Sequence, residues 1–330
     1  MKRLARLRQE NAQQLSLIAV VILICLAFSA LSDRFLTYDN LLNISLQASA
    51  TIIAAIGMTM VIATRGIDLS IGSVANCSVA IAVTLAALGS GSSLTLEASW
   101  LAYPTALVLG LLLGAFNALV IIVFRVHPLI VTLGTLALYR GIGLHVTDAA
   151  SIAVSGDVLT LARGALLGAG YPVWLALAIA FAGWFTLSHT VFGRRLLALG
   201  GSPRSAVESG LKRARILAAA YIISSLCGAI AGLVIVGRVG IIDTTLGFNF
   251  EFTVITAVVL GGTSLFGGRA SIVGSVIGAI LLSAIDNGLN LIGANPFIYE
   301  VVRGLVLMSA ISLDAYASRK ATDQLSADLS

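Results

Sequence analysis

Charged residues are scarce in this chain: Asp, Glu, Lys and Arg make up 11% of its 330 residues, against roughly 25% in a soluble globular domain. With 58% hydrophobic residues, that shortage excludes a water-surrounded globule. Cysteine is rarer still. Cys25, Cys77 and Cys227 all fall in apolar stretches at spacings that suit no metal ligand set, so they read as buried free thiols. Histidine is equally sparse, and His127, His145 and His189 form no His-Glu-x-x-His pair. The Gly-Lys-Ser/Thr ending of a phosphate-binding loop occurs nowhere. Ser209-Gly210-Leu211-Lys212 matches Ser-x-x-Lys, but in a basic loop the match is accidental. No catalytic constellation remains, so the chain is expected to be neither an enzyme nor the holder of a cofactor or metal.

What the chain has in quantity is long apolar runs, at 15–32, 43–64, 70–89, 100–123, 128–147, 171–189, 214–237, 251–265, 271–292 and 297–314. Most reach the roughly 20 residues a helix needs to cross a bilayer. The expected fold class is an all-α polytopic membrane protein with about ten transmembrane helices. The breaks between 43–64 and 70–89, and between 251–265 and 271–292, are the shortest. With the N-terminus inside, fifteen of the 20 Lys and Arg fall on the inner side, leaving Arg34, Arg140, Arg163, Arg238 and Arg303 for the outer side. That bias places both termini and the 192–216 loop in the cytoplasm. The net charge of +5 is then inner-face anchoring and affinity for anionic membrane lipid, and it needs no nucleic acid. The basic start followed by an apolar run resembles a signal peptide, but its removal would invert the charge bias, so an uncleaved first helix is expected. The domain plan is a cytoplasmic segment 1–14, a transmembrane domain 15–314, and a cytoplasmic tail 315–330, of which 318–330 is polar and expected to be disordered.

The one long cationic segment between apolar runs is 192–216, which holds Arg194, Arg195, Arg204, Lys212, Arg213 and Arg215. Gly200-Gly201-Ser202-Pro203 reads as a turn, with Ser202 as N-cap and Pro203 at the first helical position. A helix of about two turns over 204–211 follows, ended by Gly210. Ala206 and Gly210, four apart, give that helix a face almost without side chains. Two readings stand: an ordinary basic loop, or a short helix shaped for a groove in another protein.

Other motifs interrupt the apolar runs. In Arg65-Gly66-Ile67-Asp68-Leu69-Ser70-Ile71-Gly72, Asp68 or Ser70 can cap the third helix near the inner membrane edge, or Asp68 can meet substrate. Within Val131-Thr132-Leu133-Gly134-Thr135, the Thr132 and Thr135 hydroxyls line a polar path or hydrogen-bond to neighbouring backbone. Gly261-Gly262-Thr263-Ser264-Leu265-Phe266-Gly267-Gly268-Arg269 reads as a tight inner turn rather than a phosphate cradle. At the outer ends of the last two helices, Asp286 and Asn290 lie four apart, and Glu300 and Arg303 three apart. They form an ion-pair clasp or the polar mouth of a path. Ionisable groups otherwise sit toward helix ends, and the midspans are nearly charge-free. An ion-coupled secondary transporter, the rival class, would place such groups at mid-membrane. The energy source is therefore expected in a partner chain.

Taken in order over 35–315, these four motifs resemble those of permease subunits of ribose-type ATP-binding-cassette importers. The octet is similar to their Gly-Ile-Asp-Leu-Ser-Val-Gly signature. Gly200-Gly201, Ala206 and Ser209-Gly210 stand where that family contacts its ATPase. The chain departs from the pattern at Arg65 and Ala270, where the family has glycine, at Ala118 after Asn117, and at Pro203. The resemblance implies a vitamin-B12-type importer permease fold in a bacterial inner membrane. It also implies a second permease subunit, identical or not, a cytoplasmic ATPase carrying ATP and Mg, and a periplasmic sugar-binding protein. The implied cargo is a pentose or related small sugar, with nucleoside and branched-chain amino acid permeases as related alternatives. Glu208 would pair with a basic group of the ATPase. Asp286, Asn290, Glu300 and Arg303, if they line a mouth, would meet sugar hydroxyls.

Overall fold

The computed structural model describes residues 2–87 and 95–327. In chain order its helices are α1 (Lys2–Leu31), α2 (Tyr38–Ala63), α3 (Ile71–Ala86), α4 (Ala102–Val123), α5 (Pro128–Val146), α6 (Thr160–Arg163), α7 (Tyr171–His189), α8 (Val191–Gly201), α9 (Pro203–Glu208), α10 (Arg213–Val239), α11 (Phe250–Leu260), α12 (Ile272–Leu291) and α13 (Pro296–Ala327). Each of the apolar stretches holds one of them. Among the described residues, seven are long and apolar enough to cross a membrane: α1, α2, α4, α5, α7, α10 and α12. The chain is thus a mostly helical, multi-pass membrane protein. The polar flanks 2–14 and 315–327 continue α1 and α13 as helix.

Local chemistry starts several helices where the chain requires. His127 caps α5, its Nδ1 accepting from Leu129 N at 3.3 Å, with Pro128 next. Ser271 Oγ accepts from Gly274 N at 3.0 Å and caps α12. The centre of the bundle is α2, buried along most of its length. α10 packs against it and against α3 and α4 through residues too small to hold the backbones apart. Gly110 and Gly114 of α4 admit Ala229 and Ile222 of α10, while Gly228 and Gly232 of α10 admit Ile71 and Ala75 of α3. Within lipid, such close backbone approach supplies the attraction that the hydrophobic effect supplies in water.

One end of the bundle is basic, carrying Arg65, Arg125, the 192–216 loop and Arg269. The opposite end carries β1 (Thr95–Glu97), β2 (Ile152–Ser155), the hairpin of β3 (Ala165–Leu166) with β4 (Ala169–Gly170), and β5 (Ile241–Ile242). β2 pairs parallel with β1 and antiparallel with β5. Residues 88–94, before β1, lie outside the described residues.

α3 and α11 are short, 16 and 11 residues. α11 spans about 16 Å and leads into the 261–269 turn at the basic end, so its first turn lies near mid-membrane. There it meets the first turn of α3: a Cβ on Gly72 or Gly247 would overlap the other's carbonyl oxygen. The non-helical segment 64–70 therefore climbs from the basic end to mid-depth. Irregular backbone is tolerated at that depth only when protein groups satisfy it.

Candidate functional site

Three of the four motifs converge at the basic end. Arg65 follows α2 in the left-handed region, φ 68°. Its Nε donates to Gly200 O at 2.5 Å and its Nη2 to Gly201 O at 2.9 Å. Gly268 N donates to Ala63 O at 3.1 Å. So the end of α2, the end of α8 and the glycine-rich turn share one backbone junction. Where the resembling family has glycine, Arg65 adopts glycine's conformation, and its two hydrogen bonds offset the cost. Gly200-Gly201 is not the expected turn: both residues end α8, and the chain turns at Ser202.

Above the junction, side chains satisfy the climbing segment. Thr132 Oγ1 donates to Ile67 O at 3.1 Å. Asp68 Oδ1 accepts from Ser70 N at 3.0 Å and Ser70 Oγ at 2.6 Å, and Oδ2 accepts from Ser224 Oγ at 2.7 Å. Asn117 Nδ2 donates to Ser70 Oγ at 2.8 Å, and Tyr139 OH reaches Asn117 Oδ1 at 3.2 Å. Asp68, Ser70, Asn117 and Ser224 are wholly buried. Gly66 leaves room for the Tyr221 hydroxyl, which a Cβ there would overlap.

Two sequence expectations change here. Asp68 does not cap α3, because it accepts nothing from that helix's first turn. It faces Ser224, eleven residues into α10 and beside Gly57 of α2, about 9 Å along α2 from the basic-end junction. Two carboxylates, Asp68 and Glu251, are nevertheless buried inside the bundle. Thr132 serves the octet's backbone, and Thr135 donates to Thr132 O at 3.4 Å, so both hydroxyls are spent on main chain. Asn117, Tyr139 and Ser224 escaped the sequence reading. Their signal was an isolated polar group in an apolar run, which cannot be told from a helix-to-helix contact without its partners.

The helix after the turn is α9, shorter than expected. Ala206 does not share an open face with Gly210: it is buried in a cluster with Leu196, Leu199 and Leu217. Gly210, at φ 82°, has nothing near its missing side chain. The outward face of α9 carries Arg204, Val207 and Glu208, with Val207 50% exposed. Glu208 pairs with Arg204 at 3.0 Å in full solvent, an interaction worth little. Ser209 Oγ returns to Ser205 O at 2.8 Å.

At the opposite end, Asp286, Asn290 and Arg303 meet in a polar cavity of about 420 Å³, with Asn43, Gln47 and Arg238 also on its wall. Arg303 Nη2 bonds Asp286 Oδ2 at 2.7 Å and Nη1 bonds Glu300 Oε1 at 3.2 Å. Asp286 is the closer and more buried partner, so the clasp joins α12 to α13. Arg303→Ala is expected to leave Asp286 uncompensated and cost about 2 kcal/mol. Adding Asp286→Ala should restore most of it, as read from the thermal midpoint of the purified protein. A double variant no more stable than the single would mean that the pair does not join these helices.

The chain is similar over about nine-tenths of its length to known transport proteins. It is 36% identical to the ribose import permease protein of Escherichia coli (strain K12), covering 92% of this chain and 93% of that one. Against the D-allose transport system permease protein of the same strain it is 33% identical over 91% of each chain. Against that strain's galactose/methyl galactoside import permease protein it is 34% identical, over 92% of this chain and 95% of the relative. No solved structure matches it. The chain belongs to the permease family described as branched-chain amino acid transport system / permease component, which matches residues 40–311.

Proposed function

We propose that this chain is the membrane-spanning permease subunit of an ATP-driven importer for a small sugar. The observation that carries this reading is the similarity, over about nine-tenths of the chain, to permeases named for ribose, D-allose and galactose. In this reading ATP and Mg belong to a partner ATPase at the basic end, a second permease subunit completes the path, and a sugar-binding protein docks on the opposite end. The basic end is cytoplasmic, as the positive-inside rule favours, and the membrane is a bacterial inner membrane. α3, α11 and α13 complete a bundle of about ten membrane-embedded helices, in keeping with a vitamin-B12-type importer fold.

The ATPase docks on α9. Its outward face is small, exposed and bounded by the 194–195 and 212–215 arginines and lysine, a form suited to a groove. Val207→Glu is expected to leave membrane accumulation unchanged while ATPase co-purification and sugar uptake fall together. Ala206→Trp should instead lower accumulation itself, because that side chain points into the core. The whole reading is tested by reconstitution with a partner ATPase and sugar-binding protein. Sugar uptake should require hydrolysable ATP. Uptake by this chain alone, driven by a proton or sodium gradient, would overturn it.

A further inference from the structure

Four helices turn polar side chains into the cavity opposite the basic end. On α2, Asn40, Asn43 and Gln47 are spaced three and four apart and so share one face. Asp286 and Asn290 do the same on α12, and Tyr299 and Arg303 on α13. Helices meeting in a membrane have no need of so many polar groups, and where they use them for packing the groups satisfy each other. Asn40 and Asn287 show this: each amide donates to the other's oxygen, at 2.9 and 3.0 Å, and Asn40 also donates to Phe35 O at 2.8 Å. Asn43, Gln47 and Asn290 behave otherwise. Among the described residues none has a side-chain partner, and all three face the cavity. Arg303 Nε is buried without a partner beside them.

From this we infer that the cavity is a landing subsite for a neutral polyhydroxylated molecule, a monosaccharide, on its way into the path. The inference rests on the proposed sugar-import function and adds a place on this chain where the sugar is held. Each amide offers both a donor and an acceptor, as vicinal hydroxyls require. On the wall Arg303 is paired with Asp286 and most of the remaining polar groups are neutral amides, a lining suited to hydroxyls; the phosphate arm of the test separates a sugar from an anion drawn to Arg238. Its volume falls within the roughly 300–1,000 Å³ typical of small-molecule sites.

The test uses the purified full chain in lipid nanodiscs, carrying Asn290→Cys, with Cys25, Cys77 and Cys227 replaced by serine or alanine. The rate of maleimide alkylation is followed against D-ribose, D-allose, D-galactose and, separately, inorganic phosphate. A sugar should slow alkylation about tenfold at ten times its half-protecting concentration, as simple occupancy requires, and phosphate should not. In cells, Asn43→Leu should raise the sugar concentration for half-maximal uptake severalfold at normal accumulation. Protection by phosphate would overturn the inference in favour of an anion site, and protection by none of the probes would remove the subsite altogether. Because alkylation needs neither ATP nor the partner chains, its failure is separable from failure of the importer reading, which shows as ATP-independent uptake.

Discussion

Gly200→Ala is expected to abolish transport and lower the thermal midpoint, whereas Gly201→Ala, one residue on, should do neither. Both glycines lie in the last turn of α8. A Cβ on Gly200 would overlap Ala63 O and approach Gly268 N at 2.7 Å, while the nearest atom to a Cβ on Gly201 is Gly268 Cα at 3.9 Å. The obstacles at Gly200 are backbone atoms of two other segments and cannot swing aside as a side chain would. Overpacking of this kind costs about 3 kcal/mol or more when the surroundings cannot yield. It would also pull Gly200 O from the Arg65 guanidinium and part α8 from α2. At Gly201 the added methyl meets a neighbour only at ordinary van der Waals distance, and alanine's better helix propensity offsets any loss. Comparable uptake and stability in the two variants would mean that the three segments do not meet as described.

Asp68→Ala should have the second largest effect, with Asp68→Asn close to the parent protein. Alanine strands three donors, Ser70 N, Ser70 Oγ and Ser224 Oγ, inside a region with no water to replace the carboxylate. Each unsatisfied buried group costs about 1–3 kcal/mol, although the hydroxyls recover part by turning to nearby carbonyls. The tie between the climbing segment and α10 would be lost, and accumulation with it. Asparagine keeps an oxygen for both Ser70 bonds, and its amide can donate to Ser224 Oγ once that hydroxyl rotates. Accumulation and uptake are measured on the same membranes. A stable Asp68→Asn protein without uptake would show that the negative charge itself takes part in transport, beyond tying helices together.

Much of the architecture was legible because its signals are local. An apolar run of about 20 residues excludes water whatever surrounds it, so helices appear in every stretch that the composition marked. Ser271, His127 with Pro128, and Gly240 at the end of α10 fix helix ends within a few residues of themselves. Ala206 shows the limit. Four-residue spacing puts it beside Gly210 on paper, yet α9 ends at Glu208 and the chain leaves through a left-handed Gly210, so the two never share a face. Which side of a six-residue helix is buried depends on the α8 and α10 side chains beneath it.

The amino-acid sequence by itself determined that this protein lives in a membrane, where its helices lie, and which short motifs break them, since those properties depend on hydropathy and backbone preference over a few turns. Only the tertiary structure decided that Arg65, Gly200 and Gly268, scattered over two hundred positions, form one junction. The same holds for Asp68, tied to α10 rather than capping α3, and for the amides of α2, which face Asp286 and Arg303 across a cavity. These depend on how closely two backbones approach and which polar groups are left over when they do. That is a property of pairs of helices distant in the chain.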